Sequence, residues 1–178
     1  MPGPIKVILR RAPESDRGSV ELKGPKEESS KTYCFPLPWH DARDAIEWQA
    51  LFLPLELLEK DPKTWPQGEV REKAQELGLF LRDQDRLSKD RFKIVGQALY
   101  NAVFVSEEIR GLLDRLLHLL HTEGEIPVVE FHIQDEGSVL QAYPWELLHN
   151  SKRFLFEGYH AFPVRHVDFD EPISEIRL

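Results

Sequence analysis

The chain has 178 residues, 41% hydrophobic and 30% charged, which suits one domain, or a domain with an appended lobe, able to bury a core. A formal net charge of -8 has the wrong sign for a phosphate-binding surface, so no nucleic-acid partner is expected. A single cysteine, Cys34, excludes an intramolecular disulfide. No apolar run reaches the ~18 residues of a membrane span and no signal peptide is visible, so a soluble, cytoplasmic protein without membrane contact is expected.

Ile5 to Leu9 is a short β-prone run, and Ser19-Val20-Glu21-Leu22 alternates as a half-buried strand does. Gly24-Pro25 turns the chain, and Thr32 to Phe35 is a third strand that meets Pro36 and Pro38. Three short strands joined by polar loops predict a small antiparallel meander. Asp41 is placed to cap a helix bearing Ile46, Leu51, Leu55 and Leu58, with a kink or restart at Pro54, and Lys60 to Gln67 reads as a loop. Glu69 to Leu81 predicts a helix with Val70, Ala74, Leu77 and Leu81 on one stripe.

Two stronger helices follow. Phe92, Val95, Leu99, Ala102 and Val103 share a face, with Gly96 offering a close approach. Ser106 caps the next helix, Glu107 and Glu108 favour its dipole, and Ile109, Leu112, Leu113, Leu116, Leu117 and Leu120 form its core face up to Gly124. Ile126 to Ile133 is a strand, Asp135-Glu136-Gly137 a turn, and Pro144 to Leu148 a short helix with proline at its first position. Phe154 to Phe156 and Phe162 to Val167 are further β-prone runs. The expected fold class is therefore α/β in the α+β sense: an N-terminal β meander (1–40), a helical insert with a loop (41–90) and an α/β part with C-terminal strands (91–178).

Individual side chains have plain readings. Cys34 is expected to be a small buried hydrophobe. His118 and His121, three apart near a helix end, complement the dipole, and no partner with ligand spacing stands beside them, so no metal site and no cofactor are expected. Trp145 is expected in the core, with Glu146 capping a backbone group or pairing with Arg165.

The order Val128 to Ile133, then Leu140-Gln141-Ala142-Tyr143-Pro144-Trp145-Glu146-Leu147-Leu148, then Phe154-Leu155, then Pro163-Val164-Arg165 resembles the region just before the protease core of CHAT proteins, with Tyr143 where leucine is commoner and Phe156 in place of a small residue. Phe35 to Pro38, Gly96 to Phe104 and Ile109 to Leu113 are similar to segments that precede it in that family. A similar Pro-Trp-Glu motif lies upstream of the catalytic half in separases, of the same caspase-like clan.

The resemblance implies a caspase-like architecture in which a His base and a Cys nucleophile follow the Pro-Trp-Glu motif. No histidine here precedes glycine in the family's manner and Cys34 lies far upstream, so the catalytic dyad is absent and no catalytic residue is assigned. The expected function is that of a non-catalytic, pseudoprotease-like module that scaffolds or regulates a protease half of the same protein or a partner. Pro144, Trp145, Glu146, Leu147, Leu148 and Arg165 form its structural motif. The alternative is a stand-alone protein–protein interaction module of a bacterial signalling or defence system, using the edge strand Phe162 to Val167, which also invites self-association. An independent hydrolase finds no nucleophile with a neighbouring base.

Overall fold

The alternation of side-chain direction along the first strand sets the two faces of the sheet, and Ile8 is buried on the outer one. In the computed structural model, which describes residues 3–11, 15–25, 29–37, 68–80, 87–135 and 139–167, β1 (Ile5–Arg11) turns Ile5, Val7 and Leu9 into the core and Lys6 and Arg10 away from it. β2 (Arg17–Lys23) and β3 (Tyr33–Pro36) complete the expected antiparallel meander. On its other side β1 pairs in parallel with β4 (Val128–Asp135), which pairs in parallel with β5 (Phe162–Val167). The result is one mixed, five-stranded sheet of order β3-β2-β1-β4-β5. The fold is α+β, as the sequence predicts. The segments 1–40 and 91–178 are separate along the chain, yet their strands are neighbours in this sheet.

The described helices are α1 (Gly68–Glu76), α2 (Arg91–Val103), α3 (Glu107–Thr122) and α4 (Leu155–Gly158). α3 matches its sequence signature closely. Ser106 Oγ accepts from the Ile109 N–H at 3.3 Å, and all six predicted core residues are buried. α1 is shorter than its apolar stripe predicts. Gly78 adopts φ of 80°, its N–H donates to Gln75 and that of Leu79 to Ala74, so a Schellman turn closes the helix. Leu77 is consequently exposed, and Leu79 and Phe80 take the buried positions.

Two further expectations need correction. Phe154 to Phe156 forms no strand beyond a single bridge between Phe154 and His149; Leu155 and Phe156 begin α4, and both are buried on that one turn. Consecutive burial suits a helical turn, whereas a half-buried strand would have exposed one of the two. Pro144 to Leu148 is not a helix starting at proline but a 3-10 turn, Trp145–Leu147, that Pro144 precedes. The predicted helix beginning at Asp41, its break at Pro54, the loop at 60–67 and the turn at Glu136-Gly137 lie outside the described residues.

The close approach expected at Gly96 joins α2 to this 3-10 turn. A Cβ at Gly96 would sit 1.7 Å from the Leu147 carbonyl oxygen, and the His149 N–H donates to the Gly96 carbonyl at 3.1 Å. Neither backbone can give way cheaply. Gly96→Ala should therefore lower stability by about 1–3 kcal/mol or more, read as a fall in urea midpoint, while Gly111→Ala, whose Cβ would meet only the Arg115 side chain at 3.9 Å, should not.

Candidate functional site

The crossover from β4 to β5 is built around one indole. Trp145 is fully buried, its Nε1–H donates to the Leu140 carbonyl at 2.8 Å, and its ring stacks on Phe131 of β4 with centroids 5.9 Å apart. Tyr143 lies against the same indole at 5.3 Å, and Phe156 meets Phe131 edge-on. Leu148 is buried beside them, Pro144 and Leu147 are half-buried, and Glu146 is exposed.

Arg165 closes the arrangement from β5. Its guanidinium donates to the carbonyls of Gln141 at 2.8 Å and Tyr143 at 2.9 Å and pairs with the Glu146 carboxylate. Three acceptors around one planar fork suit arginine and not lysine. The six residues singled out in the sequence, Pro144 to Leu148 and Arg165, thus come together in space.

The C-terminal ends of β1 and β4 hold a buried ion pair that no local sequence signal predicts. Asp135, read as a turn residue, is the last residue of β4, and its carboxylate pairs with Arg11 of β1 at 3.4 Å. Its second oxygen accepts from the Leu140 N–H at 2.6 Å. The pair fixes the end of β1 to the start of the crossover.

The opposite face of the sheet holds three ligand-type side chains. Glu130 and His132 point outward from β4, and His166 lies across from His132 on β5. His132 Nε2 is 2.9 Å from one Glu130 oxygen and His166 Nε2 is 3.7 Å from the other. The two imidazoles stack 4.6 Å apart. Glu130 and His132 are visible as an i, i+2 pair in a predicted strand, but His166 joins them only through the parallel register. Glu130 also lines a surface cleft of about 230 Å³ with Leu120, Ile126 and Val128, smaller than the ~300–1,000 Å³ usual for small-molecule sites.

Other candidates stand apart. Cys34 is exposed, not buried, because it faces outward on the edge strand β3. Its row on the sheet ends at Gln134, so three strand spacings of about 4.8 Å put β4 roughly 14 Å away, beyond hydrogen-bond reach of His132. His118 and His121 are both exposed on α3.

Comparisons with protein-family models, curated proteins and solved structures give no match to this chain.

Two ionisable groups on neighbouring helices, buried Tyr100 on α2 and half-buried Asp114 on α3, are shifted by burial. Burial, with the Asp114 carboxylate adding to it, pushes the Tyr100 hydroxyl up to about 12. Asp114 is itself raised by burial, against the pull of Arg153 and Lys152, and its buried Oδ1 has no hydrogen-bond partner among the described residues. A carboxyl whose pKa rises on folding favours the native state when protonated, so this contribution is lost as pH climbs through the folded value. Asp114→Asn should raise stability at pH 7 and give little gain below about pH 3.9, where the unfolded carboxyl is also protonated; thermal melts at the two pH values measure it. Trp145→Ala should cost about 3–5 kcal/mol, and Trp145→Phe about 1–3 kcal/mol because the Leu140 carbonyl is left unsatisfied. A loss well under 1 kcal/mol for Trp145→Ala would refute the anchoring role.

Proposed function

We propose that the chain is the non-catalytic front module of a CHAT-like, caspase-type cysteine protease and scaffolds or regulates a protease half by offering it the β5 edge. The observation that carries this reading is the position of β5. It lies at the end of the sheet's parallel half, after the Pro-Trp-Glu motif and α4, with Phe162 60% and Val164 38% exposed. An edge of this kind accepts a further strand through its backbone groups, while side chains on its faces select the partner. Pro163 has no N–H to give, so the pairing offered falls on Val164 to Val167. The distance of Cys34 from the imidazoles of β4 and β5 supports a non-enzymatic role.

The partner in this reading is a protease half of the same protein or a separate protein, in the cytoplasm, with no nucleic acid, membrane or cofactor. Among the described residues no helix is long and apolar enough to cross a membrane. The same exposed Phe162 and Val164 favour a second reading, a stand-alone interaction module of a bacterial signalling or defence system, which would also self-associate through this edge.

The intact mass of the protein isolated from its source separates the two. A mass well above 20.8 kDa, with the His/Cys half in the added sequence, is expected if the protease half belongs to the same protein; a mass of 20.8 kDa would overturn that form and place the chain's function in a separate binding partner. The purified 178-residue chain should cleave no peptide, and cleavage abolished by Cys34→Ala would overturn the non-catalytic assignment.

A further inference from the structure

Strand geometry collects the donor set of a metal site on the outer face of β4 and β5. Residues two apart on a strand project from one face, which aligns Glu130 with His132, and the parallel register sets His166 beside them. One ligand atom from each of the three falls within 4.8 Å of the others. A tetrahedral zinc ion with bonds of about 2.0–2.1 Å keeps its ligand atoms about 3.3 Å apart. His132 Nε2 lies 2.9 Å from one Glu130 oxygen and His166 Nε2 lies 3.7 Å from the other, each within about half an ångström of that value.

We propose that Glu130, His132 and His166 bind a divalent transition-metal ion, zinc above all, through one carboxylate oxygen and two imidazole Nε2 atoms. Two imidazoles and one carboxylate suit zinc and its first-row neighbours, whereas calcium and magnesium take oxygen donors. The rings are stacked with their planes 11° apart, so bringing both in-plane lone pairs onto one ion takes a side-chain rotation, which the 45% exposure of His166 allows. Three protein ligands leave a fourth position for water or for a ligand atom of a docking partner. The ion joins β4 to the edge strand β5, so binding it stabilises the pairing of that strand.

The test is a zinc titration of the intact chain by calorimetry, with thermal melts alongside. One equivalent of zinc per chain and a raised melting temperature are expected. Loss of an outer-shell partner already costs about 10–100-fold in metal affinity. His132→Ala and His166→Gln, each removing a ligand, should therefore lose about a hundredfold or more, and Glu130→Gln a smaller factor. His166 is 45% exposed at the sheet edge, so His166→Gln should fold normally and keep the test informative. His118→Ala with His121→Ala should leave the affinity unchanged. The proposal is overturned if no zinc binds up to about 1 mM, if His166→Gln binds as tightly as the parent, or if the α3 double variant loses the binding instead.

Discussion

Helix α2 is bare at Gly96, and through that gap the Leu147 carbonyl approaches the helix backbone more closely than any side chain would allow. The 3-10 turn is thereby pressed onto α2 from one side while Trp145 fills the space toward β4 on the other. Leu148 and His149 follow, with the His149 N–H donating to the Gly96 carbonyl. Burial, with Lys93 adding to it, lowers the His149 pKa, and Nδ1 accepts from the Ser151 N–H. A neutral, hydrogen-bonded core histidine results, placed to hold the turn and not to exchange protons. Arg165 then locks the crossover to β5 through two backbone carbonyls, so the position of the edge strand follows from the seating of the 3-10 turn.

The sheet is asymmetric in a way that matters for function. Its inner face carries the core, from Ile5, Val7 and Leu9 through Val20 and Leu22 to Phe131 and Ile133. The outer face bears mostly charged and polar side chains over β1 and β2, apart from buried Ile8, where antiparallel pairing tolerates water. Over β5 it bears Phe162 and Val164, and parallel strands are normally covered on both faces. The uncovered parallel half is where a partner would gain most from burial, and the imidazole cluster lies on that same half.

Legibility in the sequence followed the range of the interaction. α3 was readable almost residue by residue because an amphipathic stripe and a capping serine are local signals. The meander strands were readable for the same reason, and the helix after residue 68 was misjudged only at its end, where Gly78 outweighed two more apolar positions. Phe154 to Phe156 was misread because three apolar residues carry no period. Asp135 looked like a turn residue because its partner, Arg11, lies at the far end of the chain. The Glu130–His132–His166 group was equally hidden: its third member is 34 residues beyond His132, and only strand pairing unites them. Cys34 was expected inside on residue type, whereas the parity of a four-residue edge strand turned it out.

The central pairing of the sheet also sets a timetable for synthesis. β1 lies between β2 and β4, and Arg11 must find Asp135 124 residues later. At about 5–20 residues per second, translation takes roughly 6–25 s to cover that interval. Until β4 is made, one side of β1 is left without its parallel partner. A strand edge in that condition invites pairing with another chain, so the order of synthesis leaves β1 exposed to association until β4 emerges.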